Sequence, residues 1–201
     1  MILIIMLCDD PLPPPFDSLP DHLVAMHRLQ SGQTLFRQGD RPVALFLVQR
    51  GAVALIRHTE AGRKVRLFRA KAGDTLAEAS LFSESYHCDC IAGRDSILFG
   101  FDKAAVLALM ASNPEFSMAL VRRLSVQLQA YRRKLELLAI GSAKERVLVA
   151  LADGWLSGSV IEFAGELGLS HEATYRALAH LVQQGRARKT GRGRYCAIAE
   201  R

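Results

Sequence analysis

With 201 residues, half of them hydrophobic, 7% aromatic and 23% charged, the chain can bury one or two cores and is too apolar for a disordered or fibrous protein. A net charge of +6 and a pI near 9.4 favour an anionic partner, and no segment reaches the ~18 apolar residues of a membrane span, which argues against a membrane partner. Four cysteines, Cys8, Cys88, Cys90 and Cys196, form neither a CxxC pair nor a disulfide framework, and so fit a reducing cytoplasm.

The opening "MILIIMLCDD" is too short to span a bilayer and has no basic n-region. It runs into "DDPLPPPFDSLP", so residues 1–20 are expected to be a tail or an early strand. "DHLVAMHRLQ" predicts a short helix. From Gln33 to Phe101 the pattern changes to short runs rich in Val, Ile, Leu and Phe: "TLFRQGD", "ALFLVQRGAVALIRH", "RKVRLFRAKAGD", "CDCIAGRD" and "SILFGFD". Gly-containing turns separate them, and regularly spaced strands of this kind predict a β-barrel or sandwich over about 21–102.

The period then becomes helical. "DKAAVLALMASNP" opens on an Asp N-cap and stops before Pro114, and Glu115 to Leu138 contains no Gly or Pro. Ser117, Val121, Leu124, Leu128, Tyr131, Leu135 and Leu138 recur at alternating four and three spacings, a heptad seam flanked by Arg122, Arg123 and Arg132 to Lys134. That seam packs either on the chain's own barrel or, as the polar remaining faces favour, against a second copy. Helices are expected over 103–140, with a domain boundary near Ile140.

In the last segment, 141–201, a capped helix in "SAKERVLVALADGWL" precedes "SVIEFAGELGL", "SHEATYRALAHLVQQG" and the basic end "RARKTGRGRYCAI". The pattern predicts a helix with Ile161, Ala164 and Leu167 inward, a corner at Gly168 plugged by Leu169, and a second helix capped by Ser170 with Ala173, Ala177, Leu178 and Leu181 inward. This is a helix-turn-helix signal. His171, Glu172, Tyr175 and Arg176 then face outward near the N-terminal end, where a recognition helix meets base edges. Arg suits guanine O6 and N7, Glu suits cytosine N4, and His or Tyr suits a phosphate or a base. Arg186, Arg188, Lys189, Arg192 and Arg194, with no acid among them, suit a two-stranded wing along phosphates. Taken alone, the helical pair is equally an ordinary solvated hairpin; the basic wing and the seam turn the reading toward double-stranded DNA.

The whole chain resembles the Crp/Fnr family of bacterial transcription regulators over about residues 28 to 198, through "LFRQGD", "LFLVQRGAVAL", "AGDTLAEASLF" and "ELGLSHEATYRAL". The resemblance implies an α+β protein: an N-terminal double-stranded β-helix (a jelly-roll like cyclic-nucleotide-binding domains), a long dimerisation helix and a C-terminal winged helix-turn-helix. It implies a homodimer on a palindromic operator, read by a recognition helix at about 170–183 with Glu172 and Arg176 at base-reading positions, and RNA polymerase as a further partner. Cyclic-nucleotide members hold the phosphate with a Gly-Glu-x-x-Leu start and an Arg followed by Ser or Thr. Here Glu78 and Leu81 remain, but Ala77 replaces the glycine, and Cys88 and Asp89 fall at the arginine and hydroxyl positions. An anion there would lose its guanidinium partner and face a carboxylate, which argues against cyclic AMP. Iron-sulfur members use several N-terminal cysteines, and the spacing here argues against a cluster.

Within "YHCDC", strand alternation puts Cys88 and Cys90 on one face and His87 and Asp89 on the other. The thiols read either as small core residues or as a sensor: a soft-metal site of Cys88 and Cys90 with His87, or with His22, His27 or His58 from elsewhere, or a low-pKa thiol open to oxidation. Glu78 reads as a structural partner for loop N–H groups. Two rivals compete with a regulator. A metal-dependent cupin enzyme lacks its H-x-H pair here and leaves the C-terminal third unexplained, while a protein-binding hairpin differs from a DNA reader in its salt dependence.

Overall fold

The computed structural model describes residues 12–60 and 62–198. Two compact units divide the chain, Met1–Arg122 and Arg123–Arg201, with the division inside one long helix.

Among the described residues the first unit contains eight strands: β1 (Val24–Leu29), β2 (Thr34–Phe36), β3 (Ala44–Arg50), β4 (Ala52–His58), β5 (Lys64–Lys71), β6 (Thr75–Leu76), β7 (Asp89–Ala92) and β8 (Ser96–Asp102). They form two antiparallel four-stranded sheets, β1-β8-β3-β6 and β2-β7-β4-β5, the jelly-roll order. Phe46, Val48 and Leu98 from one sheet meet Phe36, Val53, Ala70, Cys90 and Ala92 from the other in a buried core. The opposite face of the first sheet is also covered. Leu45, Leu47, Phe99 and Phe101 are fully or almost fully buried, and Phe16 stacks on Phe101 with ring centroids 4.2 Å apart. Burial on both faces is why "LFLV" and "ILFGF" read as unbroken apolar runs and not as alternation.

The helix expected over "DHLVAMHRLQ" does not form. Asp21–Leu23 is a single 3-10 turn, and Val24–Leu29 is β1, paired along its length with β8 from Val24↔Phe101 to Leu29↔Ser96. The pairing satisfies the backbone edge of β8, a tertiary gain that local propensity does not show.

Helix α1 (Lys103–Ser112) begins where the Asp102 side chain accepts the Ala105 N–H, 2.8 Å away, and α2 (Pro114–Ala139) follows, with the Asn113 side chain accepting from Phe116 N–H. The first starts at the Asp N-cap that the sequence predicts, and the second has Pro114 as its first residue. No single helix among the described residues is long and apolar enough to cross a membrane.

In the second unit, α3 (Ala143–Ala152), α4 (Val160–Glu166) and α5 (His171–Gln183) precede an antiparallel pair, β9 (Ala187–Gly191) and β10 (Arg194–Ala197). Their core joins Leu137 of α2 to Val147, Leu151, Val160, Phe163, Leu167, Leu178, Leu181 and Ala187.

Candidate nucleic-acid interface and effector region

Local chemistry sets the geometry of α4 and α5. Ser159 and Glu162 form a reciprocal capping box at the start of α4. Gly168, at φ +63°, makes the corner that a side chain at that position would strain, and the Ser170 hydroxyl accepts the Ala173 N–H at 3.1 Å to start α5. The inward face of α4 is Val160, Phe163, Ala164 and Leu167. Ile161, expected inward, is 55% exposed, because the helix starts at Val160 and its buried stripe follows 160, 163, 164 and 167. On α5, Thr174, Ala177, Leu178 and Leu181 are buried, while Ala173, expected inward, is only half-buried. Thr174 joins the buried face without an apolar signal: its hydroxyl donates to the Ser170 carbonyl at 3.0 Å, which lets a polar residue sit in the core.

His171, Glu172, Tyr175 and Arg176 lie together on the exposed face of α5. Glu172 and Arg176 are one turn apart, yet neither side chain makes an ion pair or hydrogen bond among the described residues. On the hairpin, Arg188, Lys189, Arg192 and Arg194 are exposed, and Arg186, just before β9, is half-buried. A bulge between Arg194 and Tyr195 adjusts the register beside the Gly191–Arg194 turn.

One organising residue has no local sequence signal. Arg146 of α3 donates from Nη1 to the Leu167 carbonyl and from Nε and Nη2 to the Ile140 carbonyl, tying the ends of α4 and α2 together. Arg133 is likewise engaged, with Asp153 at 2.7 Å and Glu136 at 2.9 Å, and these carboxylates push its pKa further up. Along α2, Val121, Leu128, Tyr131, Leu135 and Leu138 are exposed, and Ser117 and Leu124 half-buried. Five of these seven seam residues are thus exposed in the single chain.

In the barrel, Glu78 begins a 3-10 turn (Glu78–Phe82) and accepts from the Thr75 hydroxyl. Its observed partner is therefore a side chain, where loop N–H groups were expected. Lys103 Nζ donates to the carbonyls of Ser80 and Ser83 at 2.9 and 2.8 Å and fixes the same turn, inside which Leu81 is buried. Ala77 precedes it at φ +69°, the left-handed region.

A model of the cyclic nucleotide-binding domain matches residues 26–113. The cyclic AMP receptor protein of Thermus thermophilus is 30% identical over 162 residues, 77% of this chain and 75% of that protein. The chain belongs to the Crp/Fnr family. Its fold is that of FixK2 from Bradyrhizobium japonicum (TM-score 0.66, 19% identity, covering 88% of this chain and 93% of that one). It is also that of the c-di-GMP-responsive regulator CLP from Xanthomonas campestris (TM-score 0.62, 21% identity, 89% and 95%). CLP is a global regulator that links cell-cell signalling to virulence gene expression.

In this Crp/Fnr chain the candidate sensor residues are divided between core and surface. Cys88 and Cys90 are both buried. Burial pushes both thiols up, Cys90 to about 12, and at Cys88 the nearby Arg57 only partly opposes that rise, the opposite direction from the lowered pKa that makes a thiol reactive. No group of three or more His, Cys, Asp or Glu among the described residues is arranged to hold a metal ion. His87 is exposed, His58 Nδ1 lies 3.5 Å from Asp89, and His27 packs edge-on against Phe46 in the same sheet region as β8. Asp89 is itself buried, and its other oxygen accepts the Gln38 N–H at 2.7 Å.

Proposed function

We propose that this protein is a homodimeric, sequence-specific DNA-binding regulator of transcription. In this reading α4 and α5 form a helix-turn-helix, with α5 in the major groove and the β9–β10 hairpin as a wing along the phosphates. The observation that carries it is the outer face of α5, where His171, Glu172, Tyr175 and Arg176 are exposed together and Glu172 and Arg176 have no partner among the described residues. Unpartnered groups of this kind at the N-terminal end of a helix are available for base edges, Arg176 for guanine and Glu172 for cytosine. Basic side chains on the hairpin supply the backbone contacts that fix register without reading sequence.

The apolar seam on α2 supports a second copy as its cover. A two-fold dimer would present two α5 helices to the two halves of a palindrome. The state of the barrel would then shift the population of dimers with the right half-site spacing, a change in equilibrium without chemistry.

Cyclic AMP does not suit the barrel. At the positions where a phosphate would need a guanidinium and a hydroxyl stand the buried thiol of Cys88 and the carboxylate of Asp89, which has His58 and the Gln38 N–H as partners. An anion placed there would be desolvated without a cation to receive it.

Selection of bound sequences from random duplex DNA with the full chain tests the reading. An enriched palindrome, bound by a species of twice the chain mass in sedimentation, is expected. Failure to enrich any site, with binding that is insensitive to salt, would overturn it in favour of a protein-binding surface.

A further inference from the structure

We infer that the turn end of the barrel carries a second, independent site that binds a phosphate group between Arg28 and Arg50. Three tight connections converge there: Gln30–Gln33 after β1, Arg50–Gly51 between β3 and β4, and Gly93–Asp95 between β7 and β8. Two adjoining open clefts, of about 610 and 570 Å³, run across them and share Arg50 and Asp95.

The register places the cations. Arg28 and Arg50 are both paired with Ile97 of the strand between them, Arg50 directly after a register shift that follows Val48, and all three line one cleft, so the two arginines flank an isoleucine floor. Two inter-strand spacings separate their backbones by about 10 Å, within reach of two arginine side chains closing on one tetrahedral anion. Neither has an ion pair or a hydrogen bond among the described residues, and both are exposed.

The other charges are already committed. Asp95 accepts the Ser31 N–H at 2.9 Å, and Arg94 donates to the Gly51 carbonyl at 3.1 Å. Against this single carboxylate the cleft retains an excess of positive charge. Like charges held in one cleft repel one another unless an anion joins them.

The frame is also rigid. Gly51, at φ +93°, packs so closely on Ser96 that a side chain would collide with its hydroxyl. The buried Ser96 hydroxyl accepts the Ala52 N–H at 3.0 Å and lies 2.7 Å from the Arg94 carbonyl, joining two of the three turns. Arg50 therefore leaves a fixed backbone position, which lowers the ordering cost of binding. The guanidinium fork matches a phosphate oxygen pair better than an ammonium would. The phosphate could be that of a free small molecule or of a DNA backbone, and the chemistry of the cleft is the same for both.

The test uses the full chain and inorganic pyrophosphate as the probe, titrated calorimetrically at low ionic strength. Wild type binds, and the Arg28→Gln/Arg50→Gln variant binds about tenfold or more weakly. The Arg63→Gln/Arg66→Gln variant, with the same loss of charge on exposed residues of another part of the barrel, binds as wild type does. No heat with wild type, or equal weakening in both variants, would overturn the site and leave only net charge. All four positions are exposed, so the three proteins are expected to melt at the same temperature. In a second arm, duplexes of increasing length identify the source: affinity that falls in Arg28→Gln/Arg50→Gln only on long duplexes assigns the phosphate to DNA, and unchanged affinity assigns it to a small molecule. Arg176→Ala, which addresses the α5 reading, leaves pyrophosphate binding unchanged, so the two proposals fail separately.

Discussion

The Arg146 guanidinium donates to the Leu167 carbonyl at 2.8 Å while closing on the Ile140 carbonyl at 2.6 and 3.0 Å. Leu167 is the C-cap of α4, and Ile140 follows the end of α2. Each carbonyl belongs to the negative end of a helix, so one cation satisfies two sets of orphan acceptors. Gly168 follows at once and turns the chain into α5, which means that the direction of the candidate reading helix depends on this clamp.

Arg146→Ala should therefore destabilise the second unit by about 2–3 kcal/mol, since hydrogen bonds from a charged donor are removed and partly buried carbonyls are left unpaired. Arg146→Lys retains the charge without the fork and should fall between. Urea denaturation followed at the single tryptophan, Trp155, which packs against this core, checks the order. Equal stability in all three proteins would show that the clamp follows the fold and does not hold it.

Ala77 is the only residue other than glycine with positive φ among the described residues. A Cβ in the left-handed region costs about 1–2 kcal/mol, partly offset because glycine loses more chain entropy on folding. Ala77→Gly should stabilise the barrel by about 0.5–1 kcal/mol, measured as a raised denaturation midpoint with unchanged slope. A lowered midpoint would mean that the turn held by Lys103 and Thr75 leaves no strain at this position.

Much of this is legible in the chain itself. Caps at Asp102, Ser142 and Ser170 are chemical signals of one residue and its near neighbours, and all three form. The long strands of the jelly-roll are visible because burial on both faces makes them apolar throughout. β1 is not, since "VAMHRL" is neither cleanly alternating nor continuous and owes its state to β8. β6 has two residues and no period at all. On α4, seven residues allow more than one apolar stripe, and the pattern alone puts Ile161 on the wrong one. Arg146 and the Asp89–His58 contact join distant positions, so no local pattern announces them.

The buried thiols give a sign to alkaline stability. Cys90 stays protonated in the folded barrel up to about 12, and Cys88 is also raised, both chiefly by desolvation. The unfolded chain releases these protons from about pH 9, so the stability they confer is complete below that value. It declines as pH rises from there toward the folded values, by about 1.4 kcal/mol per pH unit for each group. Cys90→Ala should flatten that decline above pH 9 in denaturant titrations at several pH values. His27 acts on the other side: burial lowers its pKa, so stability is full above the ordinary value of 6.5 and declines as pH falls below it. His27→Gln should remove that decline.

The α5 face and the hairpin should separate sequence reading from charge. Arg176→Ala removes a candidate base contact and should cost about 1–3 kcal/mol on the selected operator while leaving non-specific affinity nearly intact, relaxing the preference at one base pair in each half-site. Arg192, at the exposed tip of the hairpin, is a candidate phosphate ligand. Arg192→Ala should weaken binding to every duplex alike and reduce the slope of log affinity against log salt by about 0.9 per phosphate that is no longer neutralised. Fluorescence anisotropy on operator and scrambled duplexes across a salt series measures both quantities. If Arg176→Ala weakened both duplexes equally, the side chain would be a backbone ligand, and base reading would have to rest on Glu172, His171 and Tyr175.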